Sequence, residues 1–396
     1  MTAPPLFAHQ AKDVEFYKTS PLVFNASDPG TGKTRVCIEA IKSDPPGSRA
    51  LVICPKSIMI PAWGNDILKF APELTFAVAA APKRAAAFDS DALIVITNHD
   101  ATTWLCENSH KLAGFHRLIV DESTAFKNQE AKRSKALYQI ATMFEHRTLL
   151  SGTPTPNGIL DIWHQILILD RGQRLGQQFY RFRAATCSPR HTMTRRVMDK
   201  RTGMMKTVDI QEWEDKAGAV DAVSALLADI TIRNKMEECI SIPPNHTYTV
   251  DFELSPAHRR QYLQLEQTAT VELKSGDVKP FDVGALTTKL LQLASGAVYS
   301  GDSYLPIDND RYELVLDLAE ARSQCVIAFN WRHQLEGLKA EATKRKIPFA
   351  VIDGTVKTDL RTKAVNDFQA GAIRIIFAHP QSAGHGLTLT KGVATI

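Results

Sequence analysis

At 396 residues the chain is too long for one ordinary core, and two or three domains are expected. Its apolar fraction of 44% and charged fraction of 23% are those of a globular protein, and a formal net charge of +4 permits nucleic-acid binding without demanding it. The six cysteines include no C-x-x-C pair and no zinc spacing, no apolar run approaches the roughly 20 residues of a membrane span, and the N-terminus lacks a signal-peptide pattern. A disulfide framework, a zinc module and a membrane protein are set aside; a cytoplasmic protein with free thiols is expected.

Leu6, Phe7, His9, Gln10, Val14 and Phe16 predict a helix leading into a short buried strand at 21–24. Residues 25–35 then read Asn-Ala-Ser-Asp-Pro-Gly-Thr-Gly-Lys-Thr-Arg, before a helical pattern. Strand, glycine loop and helix in that order make a phosphate-binding loop. Gly30 and Gly32 let the backbone curl so that N–H groups converge on an anion, and the helix adds its positive end. Lys33 would reach the terminal phosphates and the Thr34 hydroxyl would ligate Mg²⁺. The strict pattern G-x-x-x-x-G-K-[ST] has glycine where this chain has Ser27. Gln10, a short way upstream of the loop, reads either as a solvated helix residue or as a purine-reading glutamine.

Near-continuous apolar strands follow at 50–54, 92–96, 117–120 and 147–150, with helical stretches between. Each runs into polar or small residues: Pro55-Lys56-Ser57, Thr97-Asn98-His99-Asp100, Asp121-Glu122, and Ser151-Gly152-Thr153-Pro154. In an open α/β sheet that edge binds ligands, so residues 1–158 read as a nucleotide-binding α/β domain. Adjacent carboxylates at a strand end point to different sides. Asp121 can serve the metal while Glu122 orients and deprotonates a water.

Residues 159–243 read as a helical insertion. Within it, 188–208 carries Arg190, Arg195, Arg196, Lys200, Arg201 and Lys206 with almost no acid, and 199–203 suits the tip of a hairpin. The stretch reads either as a solvated loop or as a phosphate-contacting one. After Pro243-Pro244, residues 247–254 alternate like a strand, and a second strand-helix series occupies the rest of 244–396.

The ordered set DPGTGKT (28–34), LVICPKS (51–57), VITNHD (95–100), VDESTAFKN (120–128) and LLSGTPTPNG (149–158) resembles the first motor domain of superfamily-two helicases. The Lys127-Asn128 pair narrows the resemblance to the SWI/SNF-type translocases. Residues 326–338, 352–371 and 378–390 resemble that family's second-domain motifs, and 168–183 resembles its phage and prophage members. The resemblance implies two RecA-like α/β P-loop domains in tandem, driven by ATP and Mg²⁺ and acting on duplex, forked or branched DNA in a bacterial host cytoplasm. It implies that Gln10 reads adenine, that Asp28, Gly30, Thr31, Gly32, Lys33, Thr34 and Arg35 hold the nucleotide, and that Thr34 and Asp121 hold the metal. Lys33, Asp121 and Glu122 would be catalytic, and Ser151 and Thr153 would couple the ATP state to domain movement. Lys56, Asn98, His99, Thr355, Ser382 and Gly384 would follow the nucleic-acid backbone, with Arg195, Arg196 and Arg201 as further candidates.

The acidic box reads Asp-Glu-Ser-Thr rather than Asp-Glu-Ala-His, which changes coupling residues but not the metal and base positions. The family's last motif, with its arginine finger, would follow Ile396. The second domain therefore reads as C-terminally incomplete and the chain as a weak ATPase, since such a finger contributes roughly 10³–10⁵ in rate. An RNA helicase, or an ATP-gated nucleic-acid-binding protein without turnover, are the rival readings.

Overall fold

Strands that are apolar along their whole length must be covered on both faces, and both halves of the chain build a parallel sheet that meets this demand. The computed structural model describes residues 4–198, 205–239, 246–275, 280–300, 303–383, 389 and 391–396. Its contacts divide into two units, Met1–Pro243 and Pro244–Ile396.

In the first unit α1 (Ala8–Thr19) precedes β1 (Leu22–Asn25), and α2 (Lys33–Lys42) follows it. The next strands are β2 (Arg49–Cys54), β3 (Phe76–Ala79), β4 (Ile94–Asn98), β5 (Phe115–Val120) and β6 (His146–Leu150). After them come a hairpin, β7 (Cys187–Met198) and β8 (Met205–Asp215), and a short β9 (Thr231–Ile232). The sheet runs β3-β4-β2-β5-β6-β1-β9, parallel throughout. Side chains alternate between two cores. Leu51, Ile53, Leu118 and Val120 enter one, with Trp163 and Ile166. Val52, Cys54 and Ile119 enter the other, with Tyr17, Val36, Ile38 and Trp63. Where β5 begins, Arg117 is buried and donates to both oxygens of Asp44, from Nε at 2.8 Å and a terminal nitrogen at 2.5 Å.

Residues 159–243 belong to this same unit. The helix Leu160–Asp170 is buried from Ile162 onward, and β9 pairs with β1 at the sheet edge. The β7–β8 hairpin is paired from Cys187↔Asp215 to Met198↔Met205, with Arg195 opposite Val208 and Arg196 opposite Thr207. Its turn, with Arg201, lies outside the described residues, as does Gly384.

In the second unit a hairpin, β10 (Ala297–Ser300) and β11 (Ser303–Pro306), precedes a parallel sheet of β12 (Cys325–Ala328), β13 (Phe349–Ile352), β14 (Ile375–Ala378) and β15 (Ala394–Thr395). The strand order is β13-β14-β12-β15. Residues 247–254, expected as a strand, form none. Their alternation meets no neighbouring strand among the described residues, and Tyr248 and Val250 stay exposed. Among the described residues no helix is long and apolar enough to cross a membrane.

Candidate active site

Past the end of β1 the chain turns through two left-handed glycines, Gly30 at φ +86° and Gly32 at φ +87°, before α2 begins at Lys33. At that φ any other residue would be strained at Gly32, and its Cβ would stand 2.1 Å from the Gln10 amide nitrogen, which would have to move. Gln10 Nε2 donates to Thr31 O at 3.2 Å, and His9 Nε2 lies 2.9 Å from the same oxygen. The Thr31 hydroxyl donates to Asp28 O at 2.8 Å.

Lys33 is folded back on its own loop, its ammonium donating to Ser27 O (2.7 Å) and Asp28 O (3.0 Å). Burial pushes its pKa below the ordinary lysine value, against the pull of the Asp121, Glu122 and Asp28 carboxylates. Glycine loop and acidic pair therefore share one electrostatic field at the C-terminal edge of the sheet. Arg35 has other partners. Its guanidinium lies 2.8 Å from Glu39, donates to Pro4 O at 3.2 Å and covers the Phe70 ring at 3.9 Å.

Asp121 is buried at the end of β5. Its Oδ2 accepts from the Trp63 indole at 2.9 Å and its Oδ1 from Glu122 N at 3.0 Å. Burial, reinforced by Glu122, raises its pKa to about 6 against the indole and Lys33, which favour the carboxylate. Raised above its unfolded value of about 4, the group contributes stability that is full below that value and lost as pH rises through about 6. Glu122 itself is left-handed, at φ +53° and ψ +55°, a strain of order 1–3 kcal/mol that re-aims the side chain away from the strand direction. Trp63 reaches Asp121 from a turn of π-helix, Met59–Gly64, a distortion often found at functional sites.

Two further links tie the acidic turn to its neighbours. The buried Ser123 hydroxyl donates to Gln165 Oε1 at 2.7 Å, and Gln165 Nε2 donates to Pro154 O at 2.9 Å. Ser151 is buried beside β1, its N–H on Asn25 O at 3.0 Å and its hydroxyl accepting from Thr153 N at 3.2 Å. A Cβ on Gly152 would come within 2.9 Å of Pro29, so this turn lies directly against the phosphate loop.

The residues expected to follow a nucleic-acid backbone are not alike. Lys56 is exposed just past β2. Asn98 accepts from an Arg84 terminal nitrogen at 3.2 Å. His99 faces inward, its Nε2 2.7 Å from Asp121 O, and burial lowers its pKa to about 4. A carbonyl only accepts, so Nε2 carries the proton and the neutral ring braces the acidic turn. In the second unit Thr355 caps the turn after β13 through Asp353, while Arg361 donates to Asp353 O (2.8 Å) and Ser382 O (3.3 Å), joining the two turns. Trp63, Gln165 and Arg361 escaped sequence reasoning. Arg361 alone had a signal, its place in the 352–371 motif.

The family model of the SNF2-related domain matches residues 23–294. The chain belongs to the SNF2-related family. The helicase conserved C-terminal domain matches residues 310–396, so the SNF2-related assignment carries the tandem helicase-domain, ATPase fold with it. The chain is similar to protein p41 of Acyrthosiphon pisum secondary endosymbiont phage 1, 27% identical over 92% of this chain and 78% of that one. It is also similar to the DNA annealing helicase and endonuclease ZRANB3 of Mus musculus, 26% identical over 92% of this chain but 33% of that protein. The chain thus spans about a third of the length of that SNF2-related relative. The Sulfolobus solfataricus SWI2/SNF2 ATPase core in complex with dsDNA aligns with 96% of this chain and 78% of that one, at 19% identity and a TM-score of 0.49.

The rate of phosphate release is expected to fall as pH drops through about 6, where Asp121 takes up a proton. Trp63→Phe removes a hydrogen bond that favours the carboxylate, so this acid limb moves to higher pH. A pH–rate profile checks it; an unmoved limb would separate Trp63 from the chemistry.

Proposed function

We propose that the chain is an ATP-dependent DNA translocase or helicase that works on duplex, forked or branched DNA in a bacterial host's cytoplasm. The observation that carries the reading is the convergence of Lys33 with Asp121 and Glu122 at the sheet edge of an SNF2-related chain. Residues 28 and 30–34 would hold the phosphates, Gln10 would read the base, and Glu122 would orient and deprotonate the attacking water.

The residues present fit a magnesium ion. Thr34 and Asp121 are hard oxygen donors, and a buried carboxylate with a raised pKa gains most from a nearby cation. When bound, the ion would neutralise charge between the phosphates. Ser151, Gly152 and Thr153, pressed against Pro29, would carry loop displacement outward, with the Ser123–Gln165–Pro154 chain as a second route. DNA would meet Lys56, Thr355, Ser382 and Gly384, and the β7–β8 hairpin through Arg195, Arg196 and Arg201. A two-stranded ribbon of that kind fits a major groove.

Steady-state phosphate release with single-stranded, duplex, forked and four-way DNA, and with duplex RNA, tests this. DNA is expected to stimulate turnover and RNA is not. Stimulation by RNA alone would make it an RNA helicase. Nucleotide-dependent DNA affinity with no turnover would make it a gated binding protein.

A further inference from the structure

The parallel pairing of β9 does not stop at the sheet. Ala26 N donates to Ile232 O at 2.8 Å, and beyond it Asp28 N donates to Asn234 O at 3.0 Å, so residues 230–234 run alongside the first half of the phosphate loop. Asn234 grips that half from its own donors as well. Its backbone N–H donates to the Ser27 hydroxyl at 3.0 Å, and its side-chain amide reaches the same hydroxyl at 3.3 Å and Asp13 Oδ2 at 2.7 Å. Met236 N donates to Asp28 Oδ2 at 3.0 Å, and the Met236 methyl lies 3.0 Å from where a Cβ on Gly30 would stand. Ser27 and Asp13 are buried, and Asn234 and Met236 partly so.

We propose that Asn234 is a positioning residue for the phosphate loop, and that the strap 231–239 tightens on the loop when its anion site is filled. The inference rests on the reading that residues 30–34 take the phosphates of ATP. Ser27 stands where the strict loop pattern has glycine, and a glycine would offer Asn234 no oxygen. Lys33 at present donates to Ser27 O and Asp28 O. Turning to a phosphate, it leaves both carbonyls, and the bonds from Asn234 and Met236 remain on Ser27 and Asp28 beside those within the loop from Thr31 to Asp28 O and from Ser27 N to Asn25. A filled loop therefore depends on the strap more than an empty one does, and by linkage nucleotide and strap order reinforce each other. The strap is the last described stretch of the first unit, and the chain passes from it toward Pro244, where the second unit starts.

The test compares the full chain with Asn234→Ala, Ser27→Ala, the double variant and Ser27→Thr. Four quantities are read: Mg-ADP affinity by calorimetry, hydrogen exchange across 26–34 and 231–239 with and without ADP, melting temperature, and duplex DNA affinity without nucleotide. Each alanine variant is expected to bind ADP roughly three- to tenfold more weakly, the scale of one lost hydrogen bond. The two changes share the amide–hydroxyl contact, while Asn234→Ala also loses the bond to Asp13 and Ser27→Ala the bond from Asn234 N–H, so the double variant should lose less than the two single effects combined, and Ser27→Thr should restore affinity. In the parent, ADP slows exchange across 231–239; in Ser27→Ala it does not. A merely structural lesion would lower melting temperature and DNA affinity together and spare that response. Ser27→Ala, which removes one hydroxyl, serves where Asn234→Ala fails to fold. A parent that binds ADP no more tightly than both alanine variants overturns the inference alone. A parent that binds no ADP overturns the nucleotide reading, and this inference with it.

Discussion

Replacing Lys33 by alanine lowers phosphate release roughly 10²–10³-fold while moving stability by no more than about 1 kcal/mol. The two effects separate because of how the side chain is held. Its ammonium is partly buried at a cost that already pushes its pKa down, and the empty loop uses it only as a donor to two backbone carbonyls. Losing those bonds destabilises; losing the buried charge stabilises. The acids Asp121 and Glu122 then face a phosphate with no protein cation between them. Initial rates and thermal melts on the same preparation check both halves. A variant that keeps its rate would remove the loop from the chemistry.

The largest stability effect belongs at the other end of β5. Arg117→Met strips the partner from Asp44, whose carboxylate is nearly inaccessible, and breaking a buried pair in this way costs about 3–5 kcal/mol. Replacing both residues, as Arg117→Met with Asp44→Leu, removes the stranded charge and is expected to recover most of that loss. Urea denaturation of the parent, single and double variants measures it. Nucleotide affinity per folded molecule should hardly change, because a run of extended strand separates Arg117 from Asp121. A single variant as stable as the parent would mean that water reaches Asp44 after all.

How far the sequence could be read depended on distance along the chain. The strands expected at 50–54, 92–96 and 117–120 were legible because burial on both faces leaves an unbroken apolar run, the second lying two residues further on, at Ile94–Asn98. The glycine loop and the acidic pair were legible because each is a local pattern. β3 went unseen, being a strand of only four residues at the sheet edge, and β9 has two residues and no run at all. The alternation at 247–254 misled, because period two describes a strand only where another strand offers it hydrogen bonds. In the site, Trp63 meets Asp121 across 58 residues and Asn234 meets Ser27 across 207, and no local pattern encodes either. The partners of Arg35 and His99 were not legible either: each stands beside the expected machinery, and its side chain contacts Glu39 and Phe70 in the one case and Asp121 O in the other.

The position of β1 in the sheet sets an order of assembly. It is the first strand of that sheet to be made, yet its neighbours are β6 and β9, the last to join. At roughly 5–20 residues per second, a ribosome needs on the order of 10–40 s after finishing the phosphate loop to deliver the strand that flanks it. Through that interval β2, β4 and β5 can pair with one another and β6 can cover one edge of β1, while the other edge waits for β9. The residues that begin the site are the last to be secured, and a nascent chain halted before residue 230 would hold most of a sheet and no finished nucleotide loop.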